Sequence, residues 1–406
     1  MTDHSKHSIN VIDLFAGCGG LSEGLMQVGD KRSFLPKGLL PQLLWDKSAT
    51  SKSFNILAHV EWEAPMVKTL RANLHQRWNH STEEAKKRVV LFDIQETEAL
   101  LHGCQSKEHQ ELKDKYANNH QDFLDGGLDK LVDGESVDLI VGGPPCQAYS
   151  LAGRAQDKHG MKHDYRNFLF ESFAKVVDTY KPKMFVFENV EGLLSAKPGG
   201  QKATELIYEH FLSIGYLIWS PAELSKALLD LSLYGVPQKR KRVIIIGIKM
   251  GSQNHEEAEA ELNSLYAALL KPQKESKKIY SFTDAVGHLN SPQDDNPDIM
   301  HRPRFHNERD KAFFYDWITQ DYNNKSTQEK LAFYNARMSK NSNHIKYRAL
   351  DADKPSPTIV AHLYKDGLMF IHPDADQRRS ITPREAALLQ SFPPDYIFPE
   401  SRGMTY

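Results

Sequence analysis

VIDLFAGCGGLSEGL, residues 11–25, decides the fold. It reads as an apolar strand, then a turn holding Gly17, Gly19 and Gly20, then a helix. Glycines let a backbone take positive φ and come close to a ligand. The helix that follows offers N–H groups with no partner inside the helix. Taken alone, such a turn suits a tight structural bend as well as a ligand. No Lys-Ser/Thr pair follows the glycines, which excludes a phosphate-cradling P-loop.

The same alternation continues outward from this stretch. INVIDLF (9–15), FNILAHVE (54–61), RVVLFDI (88–94), VDLIVGG (137–143), MFVFENV (184–190) and RVIIIGI (242–248) read as buried strands. Amphipathic segments such as NFLFESFAKVVDTY (167–180) and ATELIYEHFLSIG (203–215) separate them. Strands alternating with helices predict an α/β fold, an open and mostly parallel sheet with helices on both faces. Ligands of such sheets sit beyond the carboxyl ends of the strands. Residues 31–53 and 95–136 read as insertions on the surface, without chemistry. The first domain is expected over 1–250. Beyond it SQNHEEAEAELNSLYAALL reads as a helix, and 270–345 is polar, irregular and rich in Asn, Pro, Arg and aromatics, as in a second, smaller domain. ITPREAALLQSFP (381–393) carries a helix start, with Thr382 as cap and Pro383 at the first helical position.

Composition narrows the class. With 406 residues there is room for two domains, and 40% hydrophobic with 26% charged residues is the balance of a globular protein. No run of 18 apolar residues occurs, and the polar N-terminus leads directly into a strand, so neither a membrane span nor a signal peptide is expected. Three cysteines, Cys18, Cys104 and Cys146, are too few for a disulfide framework and suit a reduced, cytoplasmic protein. The formal net charge of −2 gives no nucleic-acid signal. Local charge differs: Lys239, Arg240, Lys241, Arg242 and Lys249 fall in a stretch, 231–250, with no acid. Residues 301–350 hold ten Lys and Arg against five Asp and Glu. Such clusters suit a solvated surface first and a polyanion footprint second.

The strand ends sharpen the reading. Glu61 closes the second strand and Trp62 follows; Asp93 closes the third and Ile94 follows. An acid for a ribose diol, an indole for a purine and an acid for an exocyclic amine meet the needs of an adenosyl group. Trp62 by itself suits a core aromatic equally well. Cys146 follows Pro144-Pro145 at the fourth strand end. A lone cysteine is more often inert, but helix N–H groups at this edge would favour a thiolate. Glu188 closes the next apolar strand, where an acid is costly unless used or paired, and a carboxylic acid there can donate to a ring nitrogen. Gln238, Arg240 and Arg242 alternate at strand spacing, which predicts one shared face. Two arginines so placed can hold a phosphate and a carbonyl oxygen.

These residues together resemble the cytosine-C5 methyltransferases that use S-adenosylmethionine, of the bacterial restriction-modification type. The matches are DLFAGCGG (13–20), Glu61-Trp62, Asp93, GGPPCQAYS (142–150), DYRNFLF (164–170), FENVEGLL (187–194), QKRKR (238–242), KPSPTI (354–359) and ITPREAALLQSFP (381–393). They run in the family's order along nearly the whole chain. The resemblance implies a Rossmann-like S-adenosylmethionine methyltransferase sheet with a second, smaller irregular target-recognition domain. It assigns 251–345 to recognition of the target and 346–406 to a segment returning to the catalytic domain. It further implies that Phe15, Ala16, Gly17, Cys18, Gly19, Gly20 and Leu21, with Pro145, shape the cofactor pocket. Glu61 would take the ribose, Trp62 the adenine face, and Asp93 with Ile94 the adenine edge. Cys146 would attack carbon 6 of cytosine, Glu188 would assist at N3, Arg242 would hold the base near O2 and Arg240 the backbone phosphate. A covalent adduct splits one hard substitution into easier steps, and a target carbon inside a duplex requires the base to be flipped out.

The implied partner is double-stranded DNA, with a cognate restriction endonuclease alongside. The family pattern closes with a Gly-Asn-x-Val-Pro-Pro segment that this sequence lacks. The expectation is a truncated chain or one subunit of a split enzyme, whose second polypeptide supplies the segment. A branch of the family methylates transfer RNA and carries a Cys-Phe-Thr element, whereas no cysteine follows Cys146 here, so DNA is the expected substrate. A catalytically silent DNA-binding relative is the remaining alternative, against which the intact Cys146, Glu188 and arginines stand.

Overall fold

Short apolar strands, buried along almost their whole length, build the sheet. The computed structural model describes residues 8–28, 54–104, 109–144, 169–251, 255–275, 278–345, 347–360, 363 and 367–399. The expected insertion at 31–53, and Pro145 and Cys146, lie outside the described residues. The strands are β1 (Ile9–Leu14), β2 (Phe54–Glu61), β3 (Val89–Leu91), β4 (Leu139–Gly142), β5 (Met184–Val190), β6 (Tyr216–Leu217), β7 (Leu228–Asp230), β8 (Gln238–Lys239), β9 (Lys241–Lys249) and β10 (Ser356–Pro357). The main sheet runs β3-β2-β1-β4-β5-β9-β6, with β7 beside β9. Its first five strands are parallel, and β9 runs antiparallel to β5 and β6. From β1 the chain winds outward through β2 to β3, then restarts on the other side of β1 at β4. That reversal is a topological switch point, where a crevice opens at the carboxyl ends of the strands.

Both faces of the sheet are covered, as the continuous apolar strands demand. Val11, Ile56, Leu139 and Val141 face Leu25 and Met26 of the helix Gly20–Val28. Ile12, Leu14, Ala58, Val60 and Ile140 belong to the larger core on the other face. Within 95–136, expected to be surface elaboration, two helices belong to the core. The helices Thr97–His102 and Gln121–Val132 bury Leu100, Leu101, Phe123, Leu124 and Leu128 in that core. Charged residues between the apolar positions hid this helical face in an otherwise polar stretch.

Two compact units divide the chain. The first takes the chain to Leu229 and again over Lys241–Glu275; the second takes Asp230–Arg240 and the chain from Ser276 onward. The helix His255–Glu275 therefore packs in the first unit, not in a region beginning at 251. Ala258, Leu262 and Tyr266, spaced four apart, enter the main core. Tyr266 stacks on Trp219 at 3.6 Å between ring centroids, and its hydroxyl donates to Ile244 O and accepts from Ile246 N of β9.

The second unit has cores of its own. One gathers Phe282, Leu350, Phe370, Ile381 and Leu389; another gathers Phe313, Phe314, Trp317, Tyr334 and Ile371. It is more regular than its composition suggests, with helices Glu308–Thr319 and Thr327–Met338. Residues 346–406, expected to return to the first domain, contribute Leu350, Phe370, Ile381 and Leu389 to the second unit's core. The helix Pro383–Leu389 starts as its sequence predicts: Thr382 accepts from Glu385 N and Glu385 accepts from Thr382 N. Arg379 clamps Glu385 with two bonds of 2.8 and 2.7 Å inside the fold. That pairing outweighs burial and holds the Glu385 carboxyl below its ordinary range.

Candidate active site

Strand register brings the singled-out residues to one edge. Val90, Val60, Leu14, Gly142 and Phe187 are successive partners across five strands. The next residues along β1, β2, β4 and β5 are Phe15, Glu61, Gly143 and Glu188. Phe187 pairs with Ile245 of antiparallel β9, so Arg242 at the start of that strand comes to the same edge.

One half of this edge is built around Glu61. Phe15 has φ 56° and Gly17 has φ 55°, so the chain turns sharply after β1. For Phe15 this left-handed backbone is a strain, of the kind that gathers at functional sites. Among the described residues, chain neighbours aside, no atom lies within 4 Å of where a Cβ on Gly17 would stand, so the turn leaves an open cradle there. Ala16 N is tied to Val60 O, and Gly19 N to Ala16 O. The Glu61 carboxylate is buried yet accepts three backbone N–H groups: Gly17 at 2.7 Å, Trp62 at 2.9 Å and Glu63 at 2.8 Å. One side chain thus locks the turn after β1 to the turn after β2. Burial outweighs these bonds and lifts its carboxyl above the ordinary range. Trp62 is 56% exposed, with its ring turned outward rather than into the core. Asp93 lies two residues beyond β3 and accepts from Gln95 N at 3.0 Å, while Ile94 is buried. The Cys18 thiol is pushed up to about 11 by burial, so it stays protonated and is no nucleophile at neutral pH. Leu21 stands partly exposed at the start of the helix after the turn.

The other half centres on Glu188. Its Oε1 pairs with Arg242 Nε at 2.5 Å, and Arg242 Nη1 donates to Lys241 O. Its Oε2 lies 2.8 Å from where a Cβ on Gly143 would stand, so only glycine leaves room for it there. Arg240 interrupts the strand that QKRKR predicts. Gln238 lies in β8, pairs with Ser356 of β10, and is buried in the second unit, bonded to Leu389 O and Ile359 N. Arg242 is the second residue of β9, in the first unit. Gln238 and Arg242 therefore do not share a strand face.

Asp13 and His59 are neighbours across β1 and β2, fully buried, with Nδ1 and Oδ2 3.5 Å apart. This pair, and the role of Gly143, escaped sequence reading. Asp13 stands in the quoted opening stretch, but nothing local shows its partner 46 residues on. No described helix is long and apolar enough to cross a membrane.

A mostly parallel sheet with a switch point, covered by helices on both faces, defines a Rossmann-like α/β fold, whose strand ends are where ligands of such sheets sit. Comparison with known proteins gives the family. Residues 9–107 and 102–406 match the family model of C-5 cytosine-specific DNA methylase. A Type II methyltransferase of Bacillus paralicheniformis, M.Bpa9945I, is 32% identical over 98% of this chain and 94% of its own. M1.HphI of Haemophilus parahaemolyticus is 26% identical over 96% and 79%, and M.DdeI of Desulfomicrobium norvegicum 28% identical over 97% and 81%. The chain belongs to the C-5 cytosine-specific DNA methylase family. It is a methyltransferase acting on carbon 5 of cytosine in DNA.

Proposed function

We propose that the strand-end row carries the reaction, with S-adenosylmethionine on the Glu61 side and the flipped cytosine on the Glu188 side. The observation behind this is the register that aligns Phe15, Glu61, Gly143 and Glu188 at one edge. The first half suits the cofactor. Its residues are Phe15 to Leu21, Glu61, Trp62, Asp93, Ile94 and Pro145. Open space over Gly17 admits a ligand, Trp62 offers an exposed face for adenine, and Glu61 retains oxygen lone pairs for ribose hydroxyls. S-adenosylmethionine, when bound, supplies the methyl group that carbon 5 of cytosine takes.

The chain's own groups prepare and release the ring. The Cys146 thiolate bonds carbon 6, and the ring electrons move toward carbon 5 as Glu188 gives a proton to N3. After methylation a base takes the proton from carbon 5, the C6–S bond breaks, the thiolate is recovered, and the N3 proton returns to Glu188. Arg242 holds Glu188 by Oε1, which leaves Oε2 as the oxygen for N3. Arg242 would also meet the base near O2, and Arg240 the backbone phosphate. Residues of the second unit would set the preferred DNA sequence through phosphate and base-edge contacts. The Type II names of the relatives support a cognate restriction endonuclease in the same cell.

The test is transfer of labelled methyl from S-adenosylmethionine to duplex DNA, with covalent trapping on DNA that holds 5-fluorocytosine at the target. Cys146→Ser is expected to abolish both the adduct and the transfer. An adduct that persists in Cys146→Ser would sink the assignment.

A further inference from the structure

The second unit holds a cavity of about 290 Å³ that the methyl-transfer chemistry does not use. Every residue lining it belongs to that unit. Phe282 and Val286 of the helix Phe282–Val286, with Leu289, give it apolar surface. His372, Asp374, Arg379 and Glu385 are its titratable groups. Two of them are only partly used. His372 is 8% exposed, and its Nδ1 accepts from Asp374 N at 3.2 Å, which puts the ring proton on Nε2. Burial lowers this imidazole to about 4, so at physiological pH it is neutral and Nε2 is a donor. Glu385 Oε1 stands 3.9 Å from that nitrogen, beyond hydrogen-bond reach. A carboxylate offers about four acceptor positions. Arg379 Nη1 and Thr382 N take those on Oε2, and Arg379 Nη2 takes one on Oε1. The position left over is therefore on Oε1, the same oxygen that lies 3.9 Å from His372 Nε2. A buried donor and acceptor left unmade are costly, and a bound group that bridges them removes the cost.

Size and charge select the ligand. Pockets for drug-sized molecules span about 300–1,000 Å³, so this one takes a single small ring. Arg379 is the one cation among the lining residues, and it is spent on Glu385. The Gln377 amide holds the Asp374 carboxyl below its ordinary range, which adds a negative charge. An anion is disfavoured on both counts. A neutral flat ring with an N–H donor beside an acceptor fits: the donor meets Glu385 Oε1, the acceptor meets His372 Nε2, and Phe282, Val286 and Leu289 cover apolar surface. Amino-substituted nucleobases carry that pattern on their pairing edge. A base inside a strand brings phosphates, for which the lining has no free cation. We propose that this cavity binds a free amino-substituted nucleobase, whose edge bridges His372 Nε2 and Glu385 Oε1. Occupation completes the hydrogen bonding of Glu385, which caps the helix Pro383–Leu389, and stabilises the folded chain by mass action.

The experiment titrates the full chain with free cytosine, free adenine, benzoate as an anionic ring of similar size, and a short single-stranded oligonucleotide. Calorimetry reads binding, and the nitrogen-15 signal of the His372 imidazole reports where it occurs. At least one free base is expected to bind with a Kd of about 1 mM or tighter, to shift the His372 signal and to raise the melting temperature. Benzoate should do none of these. His372→Phe keeps a ring and removes the donor, and should weaken binding by about tenfold or more. Ser291 is exposed at the cavity, so Ser291→Trp should fold as wild type does and block the base; it decides the matter if His372→Phe does not fold. Wild type that binds neither base at roughly ten times the expected Kd overturns the proposal, as a cavity filled by water alone. A folded variant that binds at wild-type affinity also overturns it, because the base then sits elsewhere. So do benzoate binding as tight as that of the bases, and a His372 shift produced by the oligonucleotide but by neither free base. None of these readouts depends on methyl transfer.

Discussion

Gly143→Ala separates the needs of the fold from those of the chemistry. A Cβ at residue 143 would stand 2.8 Å from Glu188 Oε2, against 3.4 Å or more for ordinary contact. The carboxylate must therefore retreat by about 0.6 Å. Gly143 does not occupy the left-handed backbone region, so alanine adds no strain of that kind. The atom displaced is the far end of a flexible side chain, so the fold loses under ~1 kcal/mol and the melting point a few degrees at most. A positioned proton donor contributes about 10²- to 10⁴-fold to rate, and displacement of this size is expected to remove roughly one to two of those decades from kcat. Gly142→Ala is the contrast. There the new Cβ would meet Leu14 O at 2.7 Å and the Phe173 ring at 2.9 Å. A backbone carbonyl of the adjacent strand cannot step aside, so this variant should lose about 1–3 kcal/mol of stability. Steady-state methyl transfer and differential scanning calorimetry on both variants make the comparison. A kcat for Gly143→Ala within twofold of wild type, with the melting point held, would refute a catalytic role for Glu188 Oε2.

Other consequences are as direct. In Glu61→Gln an amide nitrogen must face one of the N–H donors of Gly17, Trp62 or Glu63; S-adenosylmethionine binding, read by titration calorimetry, should weaken by about tenfold or more, a loss of about 1.4 kcal/mol, and unchanged affinity would contradict the keystone role. Tyr266→Phe strips the partner from Ile244 O and Ile246 N in the core, so the urea midpoint should fall by an amount worth about 1–3 kcal/mol. His306 and His372 are held down to about 4 by burial. Because the unfolded chain protonates them near pH 6.5 and the fold does not, stability is full above about 6.5 and falls as pH drops toward 4, by roughly 3 kcal/mol per imidazole. A melting temperature that stays flat from pH 7 to 5 would contradict this.

What the sequence made legible depended on how local the signal was. The strands and the glycine turn announce themselves through continuous apolar runs and one cluster of small residues, and Thr382-Pro383-x-Glu385 places its helix start to the residue. Ser326-Thr327-Gln328-Glu329 carries the same signature and caps the helix Thr327–Met338, within a stretch whose polar composition masks it. The helices of 95–136 were hidden for a related reason, since Phe123 and Leu128 are apolar positions scattered among charges. Gln238 misled because alternation predicts a shared face only within one unbroken strand, and nothing in QKRKR marks the interruption at Arg240. Asp13 with His59, and Gly143 against Glu188, depend on strands distant in sequence coming into register, which no local pattern encodes.

The excursion of Asp230–Arg240 into the second unit bears on how such a protein can change its specificity over time. β8 is the pairing partner of β10, Ser356 N bonds Pro237 O, and Thr358 Oγ1 bonds Lys239 O. A recombination that replaced only the chain from Ser276 onward would import a β10 fitted to another protein's β8. The second unit is therefore inherited in two pieces, and a viable exchange must carry both or keep this short ladder compatible. Such coupling favours drift within the loops of the second unit over wholesale replacement, because loops can vary while the β8–β10 ladder stays intact.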